Sequence, residues 1–321
     1  MTGTGTPTTT GTLRLGTRAS TLARTQSQTV ADAITAATGT PVELVHIVTE
    51  GDTSSAAIAQ LGGTGVFVTA IRRALLEGSI DLAVHSYKDL PTAPEPGLVL
   101  AAVPQRADAR DALVARDGLT LGELPPGSRV GTGAPRRVAQ LRALGLGLDV
   151  VPIRGNVDTR LGRVAGLGGE GADLDAVVLA RAGLARLDRL EVITETLDPL
   201  QVLPAPAQGA LAVECRTADA RTRELLGRLE DPAVRACVTA ERSTLAALEA
   251  GCSAPVAAYA EVAEGDRGPE LFLRASVTAL DGSDAVRGSV AGPVADAAEL
   301  GRALAAELLD RGAAALMAVS T

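Results

Sequence analysis

A histidine, a serine, a lysine and an aspartate stand close together in residues 85–89, which read HSYKD. Lys88 is the only lysine in the chain, beside 29 arginines. A guanidinium group stays charged, whereas a compact ammonium group can lose its proton, so this amine indicates a task that arginine cannot perform. The apolar run 80–84 before it and Pro91 after it predict the end of a strand. Open α/β sheets bind ligands at such strand ends.

A purely structural explanation of the same segment stays open at this level. Lys88 and Asp89 can form a solvated turn with a weak surface ion pair. His85 can be a partly buried side chain that has a hydrogen-bonding partner and no catalytic task. Only residues elsewhere in the chain decide between these explanations.

Composition limits the class of protein. The 321 residues are enough for two or three domains. A formal net charge of −8 argues against a protein that binds nucleic acid by neutralising phosphates over a broad face. No segment has the length and apolar character expected of a membrane span.

The cysteines and the start of the chain predict a compartment. The three cysteines show no metal-ligand spacing, so we expect no bound metal. The chain starts without an apolar signal region, and we therefore predict a reduced, cytoplasmic protein. Residues 1–11 are rich in threonine and glycine and are predicted to form a flexible tail.

The first part of the chain alternates between strand and helix patterns, which predicts a parallel α/β sheet. Arg18 and Ser20 follow the first strand, and Ser20 is predicted to cap the next helix, a place suited to anions. An apolar helical stripe runs from Phe67 to Gly78. The loop 49–65 before it is either a lid or a segment without function. The predicted strands are 13–15, 42–48, 80–84 and 99–103.

A second α/β lobe follows, and the two lobes are expected to leave a cleft. Residues 203–209 (LPAPAQG) return the chain to the first lobe through a strand at 210–215. The second lobe has predicted strands at 112–115, 130–132, 150–153 and 176–179.

The remainder predicts a small α+β third domain. Its predicted elements are a helix at 231–248, strands at 255–262, 271–279 and 285–290, and a last helix at 294–311. The predicted organisation is therefore a tail at 1–11, a first lobe at 12–106 and 204–226, a second lobe at 107–203 and a third domain at 227–321.

Arginines follow the strand ends of the second lobe. An isolated surface arginine carries little information, but several at successive strand ends of an acidic protein predict a site for a polyanion. The chain has neither a Walker-type lysine loop nor a dinucleotide glycine fingerprint, so carboxylates are favoured over nucleotide phosphates. These arginines are Arg136, Arg137, Arg154, Arg160, Arg181 and Arg186.

Cys252 stands apart from the other two cysteines. It lies between Gly251 and Ser253, in a predicted loop, whereas Cys215 and Cys237 fall on a predicted strand and helix. A cysteine is most often an inert buried side chain. A thiol in such a loop can instead be reactive.

The chain also contains eight motifs in a fixed order: RLGTRAS, GGTGVFV, VHSYKDLP, GTGAPRR, RGNVDTR, LARAGLARL, PAQGALAVECR and LEAGC. Together they resemble the hydroxymethylbilane synthase family, also called porphobilinogen deaminase, over residues 13–319. The resemblance implies a monomeric enzyme that condenses four porphobilinogen molecules head to tail, with release of ammonia, on a dipyrromethane cofactor held by a thioether. It implies three domains, the first two related to periplasmic binding proteins.

The resemblance also implies roles for the residues named above. Cys252 would attach the cofactor. Asp89 would lie beside the pyrrole nitrogens and, with Lys88, act in catalysis, because a fixed carboxylate can stabilise the cation formed as ammonia leaves and can move protons. The cofactor-binding residues would be Ser86, Lys88, Asp89, Thr132, Arg136, Arg137, Arg154 and Cys252. The substrate-binding residues would be Arg18, Ser20, Phe67, Arg154, Arg160, Arg186 and Gln208.

Some positions depart from the family pattern. Many members have lysine at the position of Thr64 and serines at those of Gly133 and Ala134, and some have arginine at that of Glu50. The charges of the loop 49–65 therefore differ from those of many members. Residues 166–173 resemble an insertion and are predicted to lengthen a surface loop.

A rival hypothesis is a noncatalytic, two-lobed protein that binds a small polycarboxylate. It accounts for the arginines but explains neither Cys252 nor a third domain. Intact mass distinguishes the two, because the enzyme exceeds the mass of its chain by two porphobilinogen units less ammonia.

We expect Cys252→Ser to give a folded protein without this mass increment, because the loop position leaves the core unchanged while oxygen replaces the sulfur of the thioether. Intact mass and a pyrrole colour reaction on the denatured protein are the measurements. Cys215→Ala and Cys237→Ala are the controls and should keep the increment. An increment that persists in Cys252→Ser would require another attachment residue.

Overall fold

The computed structural model describes residues 11–47, 64–168, 171–249, 254–265 and 268–318. Several sequence predictions fall outside these ranges. They are the flexible tail up to residue 10, residues 49–63 of the candidate lid, Glu50 and Cys252.

The strands are numbered here in chain order. They are β1 (Leu13–Thr17), β2 (Val42–His46), β3 (Leu82–Ser86), β4 (Leu98–Ala102), β5 (Asp111–Ala115), β6 (Arg129–Thr132), β7 (Asp149–Pro152), β8 (Ala176–Ala180), β9 (Glu195–Thr196), β10 (Leu211–Arg216), β11 (Val256–Gly265), β12 (Gly268–Thr278) and β13 (Ala285–Pro293).

The α-helices are numbered in the same way. They are α1 (Thr21–Thr38), α2 (Thr64–Leu76), α3 (Pro135–Ala143), α4 (Val157–Leu161), α5 (Arg181–Arg186), α6 (Ala220–Gly227), α7 (Pro232–Ala247), α8 (Ala297–Asp310) and α9 (Ala313–Ala318).

The first sheet has the strand order β2-β1-β3-β10-β4. β1 pairs in parallel with β2 and β3, as the alternation of strands and helices predicts. β4 runs antiparallel to β10, so the sheet is mixed. Ser20 caps α1 as predicted, since its side chain accepts a hydrogen bond of 3.3 Å from the Ala23 backbone N–H.

The second sheet has the order β7-β6-β8-β5-β9. β6 pairs in parallel with β7 and β8, whereas β5 runs antiparallel to β8 and β9. Its central strands are buried on both faces, which is why β8 reads as a continuous apolar run, AVVLA. β9 was not predicted, because two residues are too few to show a periodicity.

The third sheet is antiparallel, with the order β11-β12-β13. α7 and α8 pack against it, and Leu245, Leu271 and Leu304 belong to their shared core. The last helix was predicted from residue 294, but residues Val294–Asp296 form a separate 3-10 turn before α8. α9 was not predicted, and it follows Gly312, whose φ of 95° breaks the helical run.

The chain divides into two compact units. The first contains the described residues up to His85, then Pro94–Gln105 and Leu211–Asp231. The second contains Ser86–Ala93, Arg106–Ala210 and the described residues from Pro232 onward, so the third sheet belongs to the same unit as the second sheet. None of the helices in the described ranges is long and apolar enough to cross a membrane.

A buried ion pair ties α2 to β10 in the first unit. Arg72 donates to Glu214 through Nε (3.0 Å) and Nη2 (2.7 Å), and both residues are less than a tenth exposed. His85 Nε2 lies 3.2 Å from Glu214 Oε2. Burial alone would raise the pKa of Glu214, but the contacts with His85 and Arg72 lower it to about 2. His85 is buried, and its Nε2 atom lies beside Glu214 without meeting the geometry of a hydrogen bond.

Arg72→Gln should lower the free energy of unfolding by about 3 kcal/mol or more, because it leaves the Glu214 carboxylate buried without its main counter-ion. Urea unfolding measures this difference. The neighbouring residue supplies a matched control. Arg73 pairs with Glu77 on the solvent side of α2 (2.7 Å), so Arg73→Gln should leave the midpoint nearly unchanged. Equal midpoints for both variants would contradict the prediction.

Candidate active site

Three parallel strands of the second sheet end in front of segments that carry arginine. The strands lie side by side in the order β7-β6-β8. Arg136 and Arg137 lie in the first turn of α3 after β6, Arg154 follows β7, and Arg181 begins α5 directly after β8. The carboxyl ends of parallel strands meet at one edge of a sheet, so these arginines share that edge, as the sequence predicts.

A carboxylate missed by the sequence analysis lies at the same edge. Asp111 is the first residue of β5, and because β5 is antiparallel to β8 it stands opposite Ala180, at the end of β8. Its side chain is completely buried. Arg136 donates to it through Nη1 (2.7 Å) and Nη2 (3.1 Å), and Arg137 through Nη2 (2.7 Å). Burial alone would raise the pKa of Asp111, but the two guanidinium groups hold it far below its usual range.

Gln208 joins this pair of arginines to Lys88. Its Oε1 accepts hydrogen bonds from Lys88 Nζ (3.2 Å), Arg136 Nη2 (3.1 Å) and Arg137 Nη2 (3.4 Å). Its Nε2 donates to Asp111 Oδ1 and to the Ala109 carbonyl, both at 2.7 Å. We call the five residues Lys88, Asp111, Arg136, Arg137 and Gln208 the Gln208 cluster.

Lys88 is not a solvated turn residue. It lies in a 3-10 turn, Tyr87–Asp89, at the end of β3. Burial lowers its pKa to about 8, the charge of Asp89 opposes this shift, and the charges of Arg137 and Arg136 add to it. Asp89 itself is half-buried, and its carboxylate accepts no hydrogen bond from the described part of the chain.

Positive charge exceeds negative charge around Gln208. Among the residues that the structure describes, Lys88, Arg136 and Arg137 face two carboxylates, Asp111 and Asp89. Arg137 also keeps a buried Nε atom without a hydrogen-bond partner. An excess of buried cations in an acidic chain favours an anionic ligand.

Two further arginines are partly buried and bond to backbone carbonyls. Arg160 Nε donates to the Gly155 carbonyl (2.8 Å), and Arg186 Nη2 donates to the Gly209 carbonyl (2.7 Å). Burial lowers the pKa of Arg160, with a smaller contribution from the charge of Arg137. Burial alone lowers the pKa of Arg186 to about 10. A carboxylate ligand would reverse both shifts.

The loop that carries Gln208 has an unusual backbone. Ala207 has a φ of 60° and Gly209 a φ of 86°, and a Cβ atom at Gly209 would collide with the Ala107 carbonyl oxygen. Glu241 of α7 holds this loop, because its Oε2 accepts a hydrogen bond of 2.6 Å from the Ala207 N–H. Arg106 forms a two-pronged pair with Glu241 (2.7 and 3.0 Å) and donates through Nε to the Gln208 carbonyl (2.9 Å).

The other predicted site residues lie on several elements, as far as the described ranges include them. Thr132 is fully buried at the end of β6 and accepts a long hydrogen bond of 3.5 Å from the Ala134 N–H. Arg154 is exposed, and Ser86 is half-buried at the end of β3. Arg18 and Ser20 belong to the first unit, at the junction of β1 and α1. Phe67 is part of α2, but its side chain lies outside the described residues, as does Cys252.

Sequence reasoning missed Asp111, Glu241 and Arg106. One signal was available, since Asp111 is a charged residue at the head of the otherwise apolar strand DALVA. Glu241 and Arg106 give no such signal, because each is one of many charged residues on a helix or in a loop. No group of His, Cys, Asp and Glu side chains within the described ranges is suited to hold a metal ion.

Two departures from the pattern of related sequences lie beside the arginines. A Cβ atom at Gly133 would stand 2.7 Å from the Ile153 carbonyl oxygen, so the backbone here fits glycine closely. Ala134 is the N-cap residue of α3 and supplies no side-chain hydrogen bond, a function that serine would perform. In the insertion-like segment 166–173, Asp173 forms ion pairs with Arg163 (2.6 Å) and Arg129 (3.3 Å).

Comparison with known protein families gives two matches. Residues 13–224 match the family described as "Porphobilinogen deaminase, dipyromethane cofactor binding domain". Residues 235–310 match "Porphobilinogen deaminase, C-terminal domain".

Curated relatives are similar over almost the whole chain. A porphobilinogen deaminase of Nocardia farcinica is 61% identical over 319 residues, which cover 98% of this chain and 89% of the relative. A porphobilinogen deaminase of Mycobacterium tuberculosis is 60% identical over 310 residues, which cover 95% of this chain and 98% of the relative. Among solved structures, the methionine binding protein MetQ has a TM-score of 0.42 at 14% identity, covering 68% of this chain and 89% of that one. A periplasmic substrate-binding protein of an ABC transporter from Coxiella burnetii has a TM-score of 0.42 at 15% identity, and the match covers 70% of this chain and 94% of that one.

The solitary lysine makes one pKa directly measurable. In the Cys252→Ser protein, the rate of labelling of Lys88 by an amine-specific reagent should rise with pH around a midpoint of about 8, because only the neutral amine reacts. Peptide mapping separates Lys88 from the N-terminal amine. Arg137→Gln should raise the midpoint, because loss of a neighbouring cation favours the charged amine.

Arg302→Gln, an exposed substitution on α8, is the control and should not move the midpoint. A midpoint near the ordinary lysine pKa of about 10.4 in the Cys252→Ser protein would mean that the ammonium group is solvated.

Proposed function

Because the chain belongs to the porphobilinogen deaminase family, we propose that Lys88 and Asp89 form the catalytic pair of its reaction, within the carboxylate-binding arginines around Gln208. The chain is a transferase of tetrapyrrole biosynthesis, and it condenses porphobilinogen into hydroxymethylbilane. A noncatalytic polycarboxylate-binding protein is not favoured, because both the cofactor-binding and the C-terminal regions of the family are present.

The observation that carries the proposal is the excess of buried positive charge in the Gln208 cluster. Porphobilinogen bears two carboxylates per pyrrole, and each pyrrole that is added to the chain brings two more. Guanidinium groups match carboxylates with two parallel hydrogen bonds. The free Nε atom of Arg137 and the carbonyl-bound Arg160 and Arg186 can each redirect a donor to such a group.

The dipyrromethane cofactor of this family fits the same residues. It is a polycarboxylate, and the cluster offers cations whose pKa values burial has lowered. When bound, the cofactor supplies the pyrrole ring to which the first substrate is joined. We assign its attachment to Cys252 and the binding of its polar groups to Ser86, Lys88, Asp89, Thr132, Arg136, Arg137 and Arg154.

Asp89 handles charge and protons in this proposal. Its carboxylate is half-buried and accepts no hydrogen bond from the described residues, so it can accept an N–H group of a pyrrole. A fixed negative charge stabilises the positive charge that develops on the substrate as ammonia leaves. The same oxygen atoms can take up a proton and return it.

Lys88 binds a carboxylate through its ammonium group. With a pKa of about 8, most copies are charged at neutral pH, and a bound carboxylate raises that pKa further. Gln208 Oε1 fixes the position of Nζ at 3.2 Å. The lysine therefore gives a single, directed contact where an arginine would present a wider fork.

We assign the carboxylates of the incoming substrate to a second group of residues. Arg160 and Arg186 are suited to this because neither has a carboxylate partner within the described residues. The group consists of Arg18, Ser20, Phe67, Arg154, Arg160, Arg186 and Gln208.

We further propose that the chain acts as a cytoplasmic monomer of three domains that binds no nucleic acid. A net charge of −8 opposes binding of nucleic acid through its phosphates over a broad face. Cys215 and Cys237 are buried free thiols, which suits a reducing compartment. Their pKa values are both raised to about 11, by burial first, so neither competes with Cys252 as a nucleophile.

Turnover with porphobilinogen tests the proposed function. The purified protein should release four molecules of ammonia for each hydroxymethylbilane and should carry the dipyrromethane mass increment. A protein that binds porphobilinogen, releases no ammonia and has the bare mass of its chain would be the polycarboxylate-binding protein instead.

Asp89→Asn keeps the shape of the side chain and removes its charge, so turnover should fall by about a hundredfold or more while the cofactor stays attached. Asp89→Glu keeps the charge but displaces it by about 1 Å, and a shift of that size can cost about a hundredfold. Steady-state rates and intact masses of both variants are the measurements. We expect Asp89→Glu to be the more active, and equal rates would mean that charge at this position is unimportant.

A further inference from the structure

One side chain of α7 donates hydrogen bonds to the backbone of the segment that carries Lys88 and Asp89. Arg242 Nη1 donates to the carbonyls of Tyr87 (3.1 Å) and Leu90 (3.0 Å), and Nη2 donates to that of Pro91 (2.6 Å). Its guanidinium group also lies over the Tyr87 ring, 4.4 Å from the centroid. Three carbonyls and one aromatic face thus bind a single cation.

We propose that Arg242 is a positioning residue that sets where Lys88 and Asp89 stand relative to Gln208. The inference rests on the proposed function, since it concerns the same catalytic pair. Arg242 touches neither side chain of the pair in the contacts above, and it acts through the backbone on both sides of them.

Two further backbone hydrogen bonds hold this segment. Within the 3-10 turn, the Leu90 N–H donates to the Tyr87 carbonyl (3.2 Å), and the Tyr87 N–H donates to the Ala210 carbonyl (3.0 Å). Arg242 adds a bond to the Tyr87 carbonyl, immediately before Lys88, and bonds to the Leu90 and Pro91 carbonyls, after Asp89. Both ends of the dipeptide are therefore fixed to the rigid helix α7.

The residue before Arg242 fixes the other half of the site. Glu241 binds the Ala207 N–H and the Arg106 side chain, and Arg106 binds the Gln208 carbonyl. Consecutive residues of one helix thus hold the Lys88 segment and the Gln208 loop. The hydrogen bond between Lys88 Nζ and Gln208 Oε1 therefore depends on the contacts of Arg242 with the Lys88 segment and on those of Glu241 with the Gln208 loop.

Only an arginine can make this combination of carbonyl hydrogen bonds and ring stacking. A planar fork can reach three carbonyls while its face stacks on an aromatic ring, and an ammonium group cannot do both at once. Arg242→Lys keeps the charge over Tyr87 and loses part of the carbonyl binding. Arg242→Gln loses the charge, the stacking and most of the donors.

The experiment compares these two variants with wild type and with Arg302→Gln, which replaces an exposed arginine of α8. The holoenzyme is used, and intact mass confirms that the cofactor is attached. We expect kcat to fall about tenfold to a hundredfold in Arg242→Gln, less in Arg242→Lys, and not at all in Arg302→Gln. KM should change much less than kcat, because the carboxylate-binding arginines stay in place.

Amine labelling supplies a readout that does not depend on turnover. In Arg242→Gln the labelling rate of Lys88 at fixed pH should change at least severalfold, and its pH midpoint should move, because the ammonium group loses its fixed bond to Gln208. Tyr87→Leu removes the stacked ring, keeps Arg242, and should give a smaller change of the same kind. If Arg242→Gln does not fold, Arg242→Lys and Tyr87→Leu still test the proposal.

Each outcome has one meaning. Wild-type kcat and wild-type labelling in folded Arg242 variants would overturn the proposal, as would a loss of activity that only follows the unfolded fraction. Failure of the wild-type protein to form hydroxymethylbilane would instead overturn the proposed function. A fall in kcat with altered Lys88 labelling in folded, cofactor-loaded protein supports the proposal.

Discussion

The ion pair between the Asp111 carboxylate and two guanidinium groups is the constraint on which the site of the second unit depends. A buried carboxylate is costly unless donors surround it, and here Arg136, Arg137 and Gln208 all bond to it. Because Asp111 uses only part of their hydrogen-bonding capacity, the same groups keep donors and charge for a ligand. The cluster thus neutralises the buried Asp111 carboxylate, and the positive charge that remains can bind the carboxylates of a ligand.

Helix α7, in the C-terminal part of the chain, holds the loop of Gln208 in place. Its buried Glu241 satisfies four donors, two from Arg106 and the backbone N–H groups of Ala207 and Ala260. The helix ends at Ala247, five residues before Cys252. The same helix therefore holds the Gln208 loop and the Lys88 segment, and it precedes in the chain the cysteine to which we assign the cofactor. Few aromatic side chains are present, and two of them, Tyr87 and Tyr259, stack with arginines near this helix.

The choice of basic residue follows the same physics throughout. Arg72, Arg106, Arg136 and Arg137 lie in buried ion pairs, where a planar fork can bond a carboxylate through two nitrogens and stays charged when buried. Lys88 is the exception, because burial lowers its pKa to about 8, within reach of neutral pH. An arginine there would keep its charge in the same surroundings. The lysine amine can instead gain or lose a proton near neutral pH.

The sequence by itself determined the class of fold, the order of most strands and helices, the arginines at the strand ends and the position of Lys88 after a strand, because periodicity, capping and residue chemistry are local properties. Only the tertiary structure decided which of these groups meet. Asp111 reaches the arginines because an antiparallel strand starts where parallel strands end, and the pairing of β5 with β8 cannot be read from either strand alone. Glu241 and Arg242 look like ordinary helix charges in the sequence, and they acquire their partners from segments more than thirty and more than a hundred residues away, respectively. The pKa of Lys88 likewise depends on burial and on neighbours distant in sequence, which no local pattern encodes.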